Sequence, residues 1–202
     1  IGQAPFFPIG IGTMISILNA REGIEASLYY ADNAGPGQKP FIIDKEGVFA
    51  TRSHAQKTYF HALDDDNHEV WQEVRSVLKE FDPQILGLSV LTPEVGSAAK
   101  ITRIAKELNP DIFVVWGGVH ASFETRSTLN LPGVDCVVVG EGEETIVDLV
   151  EAIRNGNSPD SIPGVATHSH PEVKTCKRPL IKSLNSLPIP DRQAVTFPER
   201  FS

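Results

Sequence analysis

Short apolar runs alternate along this chain with stretches whose apolar residues recur at helical spacing, and that alternation constrains the fold more than any other feature. Ile11, Met14, Ile15 and Leu18 stand at i, i+3, i+4 and i+7, which predicts a helix over about residues 10–21. Gly23 ends it, and residues 24–30 read as a strand. Val70, Val74, Val77 and Phe81 predict a second helix. Asp82-Pro83 closes it, because a proline disfavours helical backbone in the residue before it. Residues 85–90 read as a strand, and Ile101, Ile104, Ala105 and Leu108 mark a third helix that stops at Asn109-Pro110. Residues 112–116 form a strand apolar on both faces, as burial between two layers of helices requires. A short helix around 121–129 and a strand over 135–139 follow. Ile146, Leu149, Val150 and Ile153 make the last helix, ended by Asn155-Gly156.

Strands and helices alternating at this spacing need right-handed crossovers and a parallel sheet with helices on both faces. The expected class is α/β: a doubly wound, flavodoxin- or Rossmann-like parallel sheet with a small hairpin and an irregular C-terminal arm. Its 202 residues suffice for one such core. Residues 1–158 are read as that domain and 159–202, rich in Pro, Ser and Asn, as hairpin and linker. Val165-Ala166-Thr167 and Val173-Lys174-Thr175 are the expected hairpin strands, and Leu187-Pro188-Ile189-Pro190-Asp191 an extended arm. The long connection 33–68 holds a second candidate hairpin, with Phe41-Ile42-Ile43 and Val48-Phe49-Ala50 around Asp44-Lys45-Glu46-Gly47. Ligands on sheets of this kind bind beyond the carboxyl ends of the strands. Functional residues are therefore expected just after Tyr30, Val90, Trp116 and Val139.

Charge narrows the partners. Lys and Arg total 18 against 26 Asp and Glu, a net charge of −8. Nucleic-acid binding draws on clustered cations; the one basic cluster, Lys174, Lys177, Arg178 and Lys182, is short and has no interleaved aromatic residues. Nucleic acid is not an expected partner. Nor is a membrane, because no run of about 18 apolar residues is present. The opening Ile1-Gly2-Gln3-Ala4-Pro5 has neither an initiator Met nor the basic start of a signal peptide. The abrupt start and finish read as a segment of something longer. Of the two cysteines, Cys136 lies in the apolar run 134–139, so a buried, reduced thiol and a cytoplasmic location are expected.

Three loops after strands carry unusual residues, each with a plain structural reading beside the functional one. Ser89 and Thr92 place two hydroxyls at one strand's end; Thr92 before Pro93 also reads as a helix N-cap. Gly117-Gly118 removes two Cβ atoms where something approaches the backbone, or simply makes a tight turn. The amides of Gly140-Glu141-Gly142 suit a polar ligand, although Glu141, Glu143 and Glu144 disfavour a phosphate. No loop has the spacing of a nucleotide phosphate loop or of a dinucleotide fingerprint. His54, His61 and His68 recur every seven residues near Asp64 and Asp65, two helical turns apart and too far for one Zn²⁺, so they read as a solvated surface. His120 directly follows Gly-Gly and is a candidate contact, whereas His168 and His170 look structural.

Ser89-x-Leu91 after one strand and Gly117-Gly118 after the next resemble the vitamin B12-binding domain, in which the Ser and the Gly-Gly line a slot for the nucleotide tail of cobalamin. Pro8-Ile9-Gly10-Ile11-Gly12, Val115-Trp116-Gly117-Gly118-Val119-His120-Ala121-Ser122, Val139-Gly140-Glu141-Gly142-Glu143 and Leu187-Pro188-Ile189-Pro190-Asp191-Arg192 are similar to one branch. That branch is the N-terminal domain of cobalamin-dependent radical S-adenosylmethionine enzymes, and the likeness runs from about Pro5 to Arg192. It implies cofactor contacts from Phe7, Gly10, Ser89, Leu91, Thr92, Gly117, Gly118, Val119, His120, Gly140, Glu141 and Gly142, with no catalytic or metal-ligating residue in this segment. Many B12-binding domains carry D-x-H-x-x-G, whose His ligates cobalt. Registered on Gly10, that motif has Pro5 for the Asp and Phe7 for the His; in Asp32-Asn33-Ala34-Gly35-Pro36-Gly37, Ala34 stands for the His. The implied cofactor is therefore cobalamin bound base-off and without a His ligand.

The resemblance also implies a missing or truncated first strand, with Ile1 near its end. The C-x-x-x-C-x-x-C of a [4Fe-4S] cluster is absent and would follow Arg192. The segment would then be no enzyme alone. Its parent would be a radical S-adenosylmethionine enzyme using cobalamin, the iron–sulfur cluster and S-adenosylmethionine for methyl transfer or a radical rearrangement. The expected partners are cobalamin and the parent's own C-terminal radical domain. The competing reading is a docking module of the same fold that has lost cobalamin. A flavodoxin-like flavin site is weaker still, for want of a Ser/Thr-rich phosphate loop.

Overall fold

The structure, a computed structural model, describes residues 7–30, 59–172 and 178–196. In chain order its helices are α1 (Ile9–Asn19), α2 (Glu69–Phe81), α3 (Val95–Leu108), α4 (Gly118–Phe123), α5 (Thr125–Leu129) and α6 (Thr145–Arg154). Its strands are β1 (Ile85–Ser89), β2 (Phe113–Gly117), β3 (Cys136–Val138) and β4 (Val165–Thr167). They form one sheet in the order β1-β2-β3-β4, the first three parallel, with Ser89 opposite Gly117 and Trp116 opposite Val137. The three parallel strands are those of the expected α/β sheet, and an antiparallel strand, β4, is added at its edge.

Alternation along the strands explains the layers, since successive side chains leave opposite faces of a sheet. Val114, Trp116 and Val137 enter one core with Ala98 and Ala105 of α3, Ala121 of α4 and Leu129 of α5. Val115, Cys136 and Val138 enter the other with Leu149 of α6. Trp116 is wholly buried, and its indole N–H donates to Thr102 Oγ1 at 3.0 Å. Outside this, α2 packs on α3 through Trp71, Val74 and Ile104. Residues 59–64 are helical and lie across both. Ala62 O accepts the Trp71 indole N–H, and Lys100 donates to Leu63 O while pairing with Asp66. The hairpin expected over 41–50 lies outside the described residues.

Four expectations change. Residues 24–30 are no strand of this sheet: Leu28 forms an isolated parallel bridge with Val195. The Leu28 N–H donates to Ala194 O, and its carbonyl accepts from Thr196, so the arm supplies the hydrogen bonds that a sheet neighbour would have given. Val165–Thr167 is not set apart in a hairpin but joins β3 antiparallel, because its two apolar side chains fit one in each core. The other half, 173–175, lies outside the described residues. The helix around 121–129 is two, broken at Glu124 (φ −112°). His68 caps α2, its Nδ1 accepting from the Val70 N–H, rather than standing on a solvated face.

The arm lies along α1. Ser16 Oγ donates to Ile189 O at 2.8 Å, and the Asp191 N–H donates to Gly12 O at 3.1 Å. Gly12 permits this approach: a Cβ there would overlap the Phe7 ring and stand 3.0 Å from Pro190 Cβ. Among the described residues, no helix is long and apolar enough to cross a membrane.

Candidate functional site

The carboxyl ends of β1 and β2 are level and tied beyond the last ladder pair. The Val90 N–H donates to Gly117 O (2.9 Å), and Val90 O accepts from the His120 N–H (3.1 Å). This closeness decides what position 118 can hold. A Cβ on Gly118 would stand 2.8 Å from Val90 N and 3.1 Å from Ser89 Oγ, and its φ of +90° is one that side chains disfavour. Gly117 differs. A Cβ there would meet only Val138, at 3.8 Å, an ordinary contact. Gly118 is thus required by the protein's own backbone, while Gly117 leaves room.

Thr92 opens a 3₁₀ turn, Thr92–Glu94, and its Oγ1 lies 3.3 Å from His120 Nδ1. It does not cap a helix, contrary to the structural reading of Thr92-Pro93; the Glu94 carboxylate instead accepts the Leu91 N–H at 2.8 Å. Ser89, Thr92, Gly117, Gly118 and His120 therefore form one cluster. Leu91, Val119 and Phe123, on the same two connections, are large apolar side chains left 51%, 56% and 84% exposed.

The loop after β3 is held at both sides. The Gly140 N–H donates to Ser122 Oγ on α4 at 3.1 Å, with φ +84° and open space where a Cβ would be. Gly142 lies against Met14 of α1, whose Sδ would be 3.0 Å from a Cβ. Glu141 turns to the arm, its carboxylate accepting the Ile181 N–H at 2.7 Å. Phe7 and Gly10 stand with α1. The Phe7 ring packs near Ile15, Leu28 and Val195, 5.2 Å from the Arg192 guanidinium, and Gly10 is exposed. Ser122 as the clamp of Gly140, and Phe123, were not singled out; both directly follow His120-Ala121, which is the signal that could have found them.

Elsewhere, several titratable groups of the described residues are engaged within the fold. Burial, reinforced by Asp135, pushes the Cys136 thiol up to about 12, in keeping with an inert, reduced cysteine. His168 Nε2 pairs with Val134 O. The Thr167 hydroxyl, then Ser158 and His170, hold the Asp160 carboxyl below its usual range. Among the described residues no group of three His, Cys, Asp or Glu is placed to hold a metal ion. Two cavities, of about 190 and 310 Å³, lie between the ends of α2 and α3 and beside α5, and neither includes a residue of the cluster. The cluster is an open edge offering hydroxyls, an imidazole, room at Gly117 and an apolar rim.

Residues 55–150 match the family model described as B12 binding domain. Over 122 residues the chain is 35% identical to an uncharacterized methyltransferase of Pyrococcus horikoshii, covering 59% of this chain and 27% of that protein. It is 32% identical over 127 residues to an anaerobic magnesium-protoporphyrin IX monomethyl ester cyclase of Rubrivivax gelatinosus (62% and 22%). It is 26% identical over 168 residues to a cytidylyl-2-hydroxyethylphosphonate methyltransferase of Streptomyces wedmorensis (79% and 27%). The chain thus spans about a quarter of the length of the curated relatives it matches. Its fold is that of a solved radical S-adenosylmethionine methyltransferase, TsrM from Kitasatospora setae, with cobalamin and a [4Fe-4S] cluster bound. The TM-score is 0.52 at 21% identity, covering 81% of this chain and 26% of that one.

Proposed function

We propose that the edge formed by Ser89, Thr92, Gly117, Gly118 and His120 holds cobalamin, a reading supported by the match of residues 55–150 to the B12 binding domain model. One observation carries the reading: Gly118 lets the two connections close on each other while Gly117 stays open beneath an apolar rim. These residues fit the cofactor's two parts. Ser89, Thr92 and His120 would hold the polar nucleotide tail beside Gly117, and Leu91, Val119 and Phe123 would cover apolar corrin surface. When bound, cobalamin would supply a transferable methyl group, and this chain's residues would hold and orient it.

The binding we propose is base-off and His-off. In the register of the resemblance Phe7 stands where the ligating His would be, and a phenyl ring has no lone pair to offer. The rest of the parent would supply the [4Fe-4S] cluster, S-adenosylmethionine and a C-terminal radical domain reached through residues 159–202, for methyl transfer or a radical rearrangement in a reducing cytoplasm.

Incubation with hydroxocobalamin followed by gel filtration tests binding directly: the protein peak should carry a corrin absorption spectrum. Electron paramagnetic resonance of the reduced Co(II) form should show no nitrogen superhyperfine splitting. A splitting that vanished in His120→Ala would place an imidazole on the metal and overturn the His-off assignment. A colourless protein peak would favour the docking module that has lost the cofactor.

A further inference from the structure

Residues 178–181 of the arm are bound to the loop after β3 and the first turn of α6 by contacts that the cofactor reading does not use. The Arg178 side chain, only 15% exposed, pairs with Glu144 at 3.2 Å and more closely with Asp148, and its Nε donates to Pro163 O. Three residues on, the Ile181 N–H donates to the Glu141 carboxylate at 2.7 Å. The Glu141 carbonyl in turn accepts from the buried Thr145 hydroxyl at 3.2 Å. Gly164, at φ +85°, lies beside this junction: a Cβ there would crowd Thr145 Oγ1 at 3.1 Å and make an ordinary contact with Arg178 Cβ at 3.5 Å.

We infer that Glu141 and Arg178 are positioning residues for the cobalamin edge, a role that rests on the reading above: they tie the arm to residues 140–145, so that Gly140 stays seated on Ser122 and the edge keeps its shape. The resemblance makes Glu141 a cofactor contact. The geometry instead gives its carboxylate to the arm. Hydrogen bonds to charged acceptors are among the stronger ones, and a loop that loses one of its holds becomes more mobile on that side. The consequence is that residues outside the matched 55–150 segment set how well that segment holds its ligand.

The test separates action through the arm from direct contact. Ile181→Pro removes the donor and leaves Glu141 untouched, whereas Glu141→Gln keeps an acceptor oxygen. Hydroxocobalamin affinity should fall on the order of tenfold in Glu141→Ala and in Ile181→Pro. Glu141→Gln should restore most of it, and the Glu141→Ala/Ile181→Pro double variant should bind no worse than either single one. Arg178→Met guards against a misfolded proline variant and should also weaken binding. Hydrogen exchange at the amides of 140–145, read without cofactor, should quicken in every variant except Glu141→Gln. A loss confined to Glu141→Ala, with Ile181→Pro and Arg178→Met binding as wild type, would make Glu141 a direct contact and overturn the inference, as would unchanged exchange throughout. If the wild-type protein takes up no cobalamin, the functional reading falls with the positioning role, and the exchange rates still decide whether the clamp exists.

Discussion

Gly117 and Gly118 are neighbours with opposite needs, and single substitutions should separate them. Gly118→Ala is expected to cost about 1–3 kcal/mol, because positive φ and the approach of Val90 leave no strain-free site for a methyl group. Gly117→Ala should stay within about 1 kcal/mol, since its Cβ meets an ordinary contact. Urea denaturation of the two variants checks this, and equal losses would refute the distinction. At Trp116, Thr102→Val removes the acceptor of a fully buried indole N–H and should destabilise by about 1–3 kcal/mol by the same assay. Cys136, its thiol held protonated by burial, should resist iodoacetamide at pH 8 until the protein is unfolded; Cys176→Ser provides the background for that labelling. The glycine pair was legible in the sequence as a pair. Which of the two is obligatory was not, because a sequence shows the missing Cβ and not the atom it would strike.

Elements with a sustained helical period were legible nearly to their ends, as for α2, α3 and α6, because three or four apolar residues on one face already define a buried stripe. Extended segments were less so. Residues 24–30 and Val165–Thr167 both read as strands, yet alternation says only that backbone is extended, while its neighbour is set by chain far away. The edge strand β4 also carries an acid-sensitive fastening. The Asp160 carboxyl, beside the Thr167 hydroxyl, is held below the usual carboxylate range in the folded state. A depressed folded value stabilises above the unfolded one, and the contribution is lost as pH falls through the folded value. Asp160→Asn should therefore be less stable than wild type at pH 6, with the gap closing below about pH 4. Thermal unfolding across that range would expose a gap that failed to close.

On the scale of the whole molecule, the two ends of the described chain meet. Phe7, Ile15 and Leu28 from one end pack with Ala194 and Val195 from the other, apart from the two cores of the sheet. The sequence showed the Pro-rich arm as extended; its docking on α1 depends on the shape of a groove and not on any local pattern. Gly12→Leu should lift the arm by displacing Phe7 and Pro190, while the sheet persists. Trypsin should then cut at Lys182 and Arg192 several-fold faster than in wild type, with circular dichroism little changed. Cleavage at the wild-type rate would mean that the arm is held without that groove.

Both tryptophans of the chain are buried, one in each of two separate layers. Trp116 lies in the sheet core, one residue before Gly117. Trp71 lies outside it between α2 and α3, with the Lys100 ammonium 4.7 Å from its ring. Their light therefore reports on different events. In Trp71→Phe the remaining emitter sits directly beneath the proposed cofactor edge. A coloured corrin settling over Gly117 would absorb its emission and dim it in proportion to occupancy. Trp116→Phe, with the emitter in the outer helical layer, would follow that layer coming apart as its emission moves to longer wavelength. Ligand capture and helix detachment thus become separable in one cuvette, by colour and intensity alone.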